Sequence, residues 1–243
     1  MNRERWYQMA EALTLVSISA DPDETLCTCC RELLGVDGVS ISLASSLALE
    51  SMCTTNASIA IFAELEFTLG QGPDFDALAS NEPSALDHSV DDGTEERLRL
   101  DSTTDDSDAS GVYSFPLNIG AARLGVLTLF SELVSGLSAT QHADALIAAD
   151  ALVHVILAAQ GTTPVGTVSP AFRDVGSFRA EIHQASGMLS VQISCSLADA
   201  LVQLRAKAYA PDKPIAELSR DVIRGRARLY RTRDDEIEWS GAE

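Results

Sequence analysis

The feature that most constrains this chain is a break at Gly161-Thr162-Thr163-Pro164-Val165-Gly166-Thr167-Val168-Ser169-Pro170. Neither a helix nor a strand runs through glycine and proline at that density. Before the break, strand patterns lie among helix patterns. After it, only helix patterns are read. The chain therefore divides into a module over 1–160, a linker over 161–170, a helical module over 171–233 and an acidic tail over 234–243.

Charge divides at the same place. Residues 1–160 hold 6 Lys and Arg against 25 Asp and Glu, whereas 161–243 hold 11 of each. The net charge of −19 belongs to the first module. Taken whole, it would argue against a partner with a phosphate backbone. The segment 220–233, with six arginines and the single acid Asp221, reverses that argument locally. Halves so unlike imply modules with different partners.

The first module reads as α+β. Trp6, Met9, Ala10, Leu13, Val16 and Ile18 recur near helical spacing over 2–19. A second helix is expected from Asp21-Pro22 to Gly35. Val36 to Leu43 alternates and is β-branched, which predicts a strand. Leu47 to Thr54 is its expected hairpin partner. Gly70-Gln71-Gly72-Pro73 reads as a loop, and the Ser/Thr-rich acidic tract over 87–110 as a surface loop. Strands over 111–119 and 123–130 flank Gly120, and a helix follows over 138–160. The second module predicts three helices: 170–193, one opened by the capping box Ser196 to Asp199, and one opened by Pro214. The apolar face expected of the middle helix is Leu197, Leu201, Leu204 and Ala208.

Several function classes find no support. Apolar runs are short and interrupted, so no membrane span is expected, and the N-terminus does not read as a secretory signal. No phosphate loop, HExxH motif or nucleophile elbow occurs; neither catalysis nor a cofactor is expected. Five cysteines, three of them crowded at Cys27, Cys29 and Cys30, do not read as a disulfide framework, and a reducing cytoplasm is the expected compartment. Cys27 and Cys30 have a metal-like spacing but no evident second ligand pair; Cys53 and His88 are lone candidates. Core packing on a helix face with Leu26, Leu33 and Leu34 is the favoured reading of these thiols, with redox or metal sensing as its alternative.

The segment from Phe172 to Arg226 resembles the ANTAR domain, a three-helix RNA-binding module of bacterial transcription antiterminators. The matching features are Ile182, Ala185-Ser186-Gly187-Met188, the stretch from Ala200 to Leu204-Arg205-Ala206, and Ile215 to Val222. The first module resembles a GAF domain, a small-molecule sensory fold that often precedes ANTAR. The resemblance lies in Glu64 to Phe67, Leu69-Gly70-Gln71-Gly72-Pro73, Phe115-Pro116-Leu117 and Arg123-Leu124-Gly125-Val126-Leu127. Asp74 stands where such relatives often have Cys. The resemblance implies a GAF-like antiparallel sheet flanked by helices, then a C-terminal three-helix ANTAR bundle. It implies a homodimer that binds paired RNA stem-loops and favours the antiterminated RNA fold.

Candidate RNA contacts follow. If the third helix persists, Arg220, Arg224, Arg228 and Arg231 share one face and can neutralise phosphates. Their alternative role is a solvated basic face, or pairing with Asp234, Asp235 and Glu236. Arg205 and Lys207 flank the buried face of the middle helix; Arg205 reaches either RNA or a structural partner such as Asp199 or Glu217. Arg179, His183, Ser186 and Ser190 fall on one expected exposed line of the first helix, suited to splayed loop bases. Gly187 costs about 1 kcal/mol mid-helix relative to Ala, which implies close approach by a neighbouring helix or by RNA. Tyr209 either stacks a base or caps the core edge. Phe67, Phe75 and Tyr113 are candidates for lining a ligand pocket in the sensor, or for its core. Two further readings stand beside this one: a non-enzymatic dimeric adaptor whose bundle docks a partner protein, and a DNA-binding regulator.

Overall fold

The computed structural model describes residues 2–17, 25–45, 48–87, 111–133, 135–161, 179–209, 214–232 and 236–241. Two compact units emerge, one of 1–44, 49–67 and 71–175, the other of 45–48, 68–70 and 176–243. The tract 88–110, the linker 162–170, Asp21 to Glu24, Asp234 and Asp235 lie outside the described residues.

In the first unit, α1 spans Arg3–Ser17 and α2 Leu26–Leu34. Thr25 caps α2 through its side chain, which accepts from the Thr28 amide, and the helix is entered at Leu26. Gly35 closes it in the left-handed region (φ 61°). Then come β1 (Gly38–Ala44), β2 (Leu49–Thr54), α3 (Ala57–Leu69), α4 (Pro73–Ser80), β3 (Ser84–Asp87), β4 (Gly111–Ile119), β5 (Ala122–Ser131) and α5 (Ala139–Gly161). The five strands form one sheet in the order β2-β1-β5-β4-β3, with every neighbouring pair antiparallel. The α+β class and the antiparallel sheet are as expected. Helices α3 and α4 are not foreseen by the sequence pattern: α3 is apolar on nearly every side, so it shows little helical periodicity.

Strand alternation gives the sheet two unlike faces. Val39, Ile41, Phe115, Leu117, Leu127 and Leu129 share a core with Met9, Leu13, Cys30, Leu34 and Leu152 from α1, α2 and α5. On the opposite face, Val112 and Phe130 pack with Ile59 and Phe62 of α3, and Val126 packs with Ala77 of α4. The 23-residue α5 is long and apolar enough to cross a bilayer, contrary to the expectation of no such run. Ala145, Ala148, Ala151 and Leu152 on it are fully buried in this core.

Cys27 of α2 and Cys53 of β2 form a disulfide. This corrects the expectation of no disulfide. Cys27 does lie on the buried face of α2, as expected, and that face brings it onto the sheet beside Cys53. Cys30 is a buried free thiol, raised far above its ordinary pKa by burial and the neighbouring Cys29.

In the second unit, α6 spans Ala180–Ile193, α7 Leu197–Tyr209 and α8 Ile215–Ile223. Ile182, Ala185, Leu189 and Ile193 of α6 are buried, as are Ala200, Leu201, Leu204 and Ala208 of α7 and Ile215, Leu218 and Val222 of α8. The Ser196 to Asp199 cap is present: the Asp199 amide donates to Ser196 Oγ at 3.0 Å. Leu197, expected in the core, is instead exposed, because it occupies the first helical position and Ala200 takes the inward place.

The third helix does not persist. It ends at Ile223 with Arg224 as its cap, and Gly225 turns the chain at φ 73°. Arg228–Arg231 is then a strand, β6, antiparallel to β7 (Ile237–Ser240). The expected acidic tail therefore carries β7. Leu229 anchors β6 in the unit's core, and its amide donates to Gln192 Oε1 of α6 at 2.8 Å.

Candidate functional site

The helical unit distributes the proposed RNA contacts differently from their expected rows. On α6, the buried stripe of Ile182, Ala185, Leu189 and Ile193 takes Ser186 with it, since i, i+3 and i+4 share a face. Ser186 is fully buried and its hydroxyl donates to the Ile182 carbonyl at 2.9 Å. Ser190 donates to the Gly187 carbonyl at 2.9 Å. Both hydroxyls are spent on their own helix. Arg179, immediately before α6, is also buried. The exposed line of Arg179, His183, Ser186 and Ser190 is therefore not formed; His183 and Ser190 are half-buried.

Gly187 stands apart. A Cβ built there meets nothing within 4 Å, so among the described residues no helix packs against it. Among the described residues, the helix-packing account of this glycine finds no support.

The arginines separate because α8 stops. Arg220 donates through Nε to Glu181 Oε2 at 3.1 Å, beside the first turn of α6. Arg228, on β6, is next to Leu229, which is tied to Gln192 in the last turn of α6. Residues 181 and 192 are about 16 Å apart along a helix at 1.5 Å per residue. Arg228 lies on β6 and not on α8, and its guanidinium stands beside Gly225, with Nη2 3.4 Å from where a Cβ there would be, so it shares no helix face with Arg220. Arg224 and Arg228 are exposed. Arg231 donates to the Ile193 carbonyl at 3.2 Å, and Arg226 pairs with Asp221, its Nε at 2.8 Å. Arg205 and Lys207 are half-buried on α7, while Tyr209 at its end is exposed.

In the first unit, the three aromatic candidates do not line one cavity. Tyr113 packs with the α1, α2 and α5 core. Phe75 packs beside Leu49, Ala77 and Val126 on the other face. Phe67 is fully buried at the end of α3. Odd residues of β4 point to the helix-packed core, which puts Tyr113 opposite Val112 and Ser114.

The chemistry on the α3 and α4 face is polar and was not anticipated. Glu66 of α3 and Asp74 of α4 are each 2% exposed. Asp74 Oδ1 accepts from Ser114 Oγ at 2.6 Å and Thr128 Oγ1 at 2.5 Å. The Asp74 amide donates to Glu66 Oε1 at 3.1 Å. A carboxyl oxygen from α3 thus satisfies a first-turn amide of α4. Gly72 is required here: a Cβ would stand 2.2 Å from Glu66 Oε1, and its φ is 131°. Pro73 starts the helix with no amide to satisfy.

Burial pushes the Glu66 carboxyl well above the ordinary carboxylate range, and the neighbouring Asp74 charge pushes it further. Burial raises Asp74 too, against the hydroxyl donors of Ser114 and Thr128, which hold it down. The signal for this cluster lies in the strands. Ser40, Ser114 and Thr128 fall on the polar phase of alternating segments, a phase that pattern alone assigns to solvent; all three are buried.

No family model matches the chain, and no curated protein matches it. Among solved structures, it is similar to the GAF domain of a phosphoenolpyruvate-protein phosphotransferase from Coxiella burnetii, at 18% identity over 66% of this chain and 98% of that one, with a TM-score of 0.49. It is similar to the GAF domain of an Acinetobacter phosphoenolpyruvate-protein phosphotransferase, at 12% identity over 68% and 99%, with a TM-score of 0.48. An A. aeolicus GAF domain in an inactive state is also similar, at 12% identity over 64% and 98%, with a TM-score of 0.44.

Proposed function

We propose that this chain is a non-enzymatic, signal-responsive RNA-binding regulator: a GAF-type sensor joined to an ANTAR module that binds paired RNA stem-loops and promotes transcription antitermination. It acts in the cytoplasm as a homodimer, off the membrane, and its sensor takes a small-molecule ligand. The observation that carries the reading is the glycine within Ala185-Ser186-Gly187-Met188. Around it, the apolar residues of the ANTAR-like pattern make the helical core, whereas Gly187 faces open space among the described residues. A helix-weakening residue with no packing reason fits a surface that another molecule approaches closely. The exposed Arg224 and Arg228 are cations that can meet phosphates, while Arg220 is paired with Glu181. The signal would act by shifting the population of a binding-competent dimer, which grips two stem-loops at a high effective concentration.

The test is binding by the purified full-length protein to an RNA with two adjacent stem-loops carrying six-base loops. A loop-scrambled RNA and duplex DNA serve as competitors. Loop-dependent RNA binding supports the reading; preference for duplex DNA replaces it with a DNA-binding regulator. A specific observation favours the adaptor as second reading. Val191, Leu197 and Val202 are 80%, 45% and 56% exposed on α6 and α7, apolar area that a protein partner would cover. Absence of nucleic-acid binding moves the assignment there.

A further inference from the structure

The Cys27–Cys53 bond joins two layers of the first unit. Cys27 lies on α2, which shares a core with α1 and α5 on one face of the sheet. Cys53 lies on β2, an edge strand held in the sheet by β1. From Cys53 the chain runs directly into α3. Thr54 pairs with Ser40, the Thr55 amide donates to the Val39 carbonyl at 3.0 Å, and Asn56 Oδ1 accepts from the Ile59 amide of α3 at 3.0 Å. Just before Cys53 the register slips, between the Ile41–Cys53 and Ser42–Ser51 pairs, and such a slip breaks the ladder locally. The piece 53–56 is thus set off from the rest of β2 and carries the start of α3, whose Ile59 and Phe62 pack on the other face of the sheet. The disulfide ties that piece to α2.

The two sulfurs are not equally open. Cys27 is fully buried, whereas Cys53 is half-buried. Exchange needs a thiolate to reach one sulfur, so access selects Cys53. A third thiol, Cys30, stands three residues after Cys27 on the buried face of α2, and such helix neighbours lie about 5–6 Å apart. Burial holds Cys30 protonated, and only the thiolate attacks, so this internal thiol leaves the bond alone. Opening therefore depends on a thiol from solution. Cys27, the group that leaves, sits in the first turn of α2, where a helix N-terminus favours a thiolate against the burial that disfavours it.

We propose that Cys53 is a thiol-exchange site for small solution thiols, and that opening the Cys27–Cys53 bond there releases the start of α3. A solution thiolate attacks Cys53 Sγ. The protein disulfide breaks, a mixed disulfide forms on Cys53, and the electron pair leaves on Cys27 Sγ, which takes a proton from water. A second thiolate attacks the small-molecule sulfur of the mixed disulfide, releasing a small disulfide and the Cys53 thiolate. Two solution thiols are oxidised, and the protein bond is reduced by two electrons. In the reducing cytoplasm proposed above, a bond open to attack follows the thiol poise and is no fixed staple. The site gives the sensor unit a redox input; it rests on that reading for its setting, and on neither RNA binding nor a bound ligand.

The test uses the oxidised full-length chain and glutathione. Brief exposure to excess glutathione under native conditions, acid quench and peptide mass mapping locate the adduct. The expected result is glutathione on Cys53 with Cys27 as a free thiol. An adduct on Cys27 or Cys30, or a reaction no faster than global unfolding, overturns the proposal. Hydrogen exchange then compares oxidised with fully reduced protein. On reduction, amides over 57–69 should accelerate at least tenfold more than those of α5. Equal acceleration of the two segments would make the bond a global staple and overturn the switch. The stem-loop assay reads RNA binding separately, so either can fail without the other.

Discussion

At the scale of the residue, Glu66 and Gly187 carry the sharpest consequences. Glu66 is held protonated to higher pH in the folded chain than in the unfolded one. Below the ordinary glutamate value both states hold the proton, and the full stability is present. As pH rises through that value the unfolded chain releases its proton first, so stability falls until Glu66 ionises in the fold as well. Asp74 shifts in the same direction. Denaturant melts of the full chain should therefore show lower stability at about pH 8 than at about pH 5, by up to about 1.4 kcal/mol per pH unit within the window for each such group. Glu66→Gln should flatten that slope; an unchanged slope would mean that Glu66 titrates normally. For Gly187, replacement by Ala meets no neighbour and should stabilise the protein by about 1 kcal/mol. If RNA approaches there, the same variant should bind stem-loops more weakly, a trade that melting and gel-shift assays read separately. Neither residue is wholly legible in sequence. The glycine announces a cost without its reason, and Ser40, Ser114 and Thr128 look like a solvent face because alternation gives two phases without saying what covers each.

At the scale of the element, the α2–β2 link and the β6–β7 hairpin are, like α3 and α4, features that pattern reading misses. Cys27 and Cys53 are 26 residues apart, too far for local spacing to join them; only the packing of α2 on the sheet does so. Closing a loop of that length is worth about 3.5 kcal/mol by chain entropy. Oxidised protein should thus yield a Cys27–Cys53 peptide on non-reducing mass spectrometry, and Cys53→Ser should lower stability by an amount of that order. Equal melts with and without reductant would contradict the link. The hairpin, by contrast, has written signals. Gly225 is a helix-ending residue, and Ile237 to Ser240 alternates. The arginine spacing draws the reading towards a longer helix instead. Leu229 is 2% exposed, so Leu229→Ala should cost about 2–5 kcal/mol of stability in chemical melts. A surface substitution such as Tyr230→Ala should cost far less.

At the scale of the whole molecule, breaker density, charge and element type all change together near 161–170, whereas the compact units divide between 175 and 176 and the second also takes in 45–48 and 68–70, which no local pattern signals. The sheet's antiparallel pairing is legible where hairpins are short, as at Gly120. The strand order is not, since β1 meets β5 only through pairings distant in sequence. The same division frames the function. An acidic first unit repels a polyanion, so RNA binding has to be carried by local groups such as Arg220, Arg224 and Arg228, and must be steeply salt-dependent. The most direct measurement is stem-loop affinity of the full-length protein across a salt series, for wild type and for Arg224→Gln with Arg228→Gln. The account predicts loop-dependent binding whose log–log salt slope is negative, and shallower in the variant by about 0.7–0.9 for each phosphate that is no longer neutralised. Binding that ignores the loop sequence, or a slope that the two substitutions leave unchanged, would contradict it.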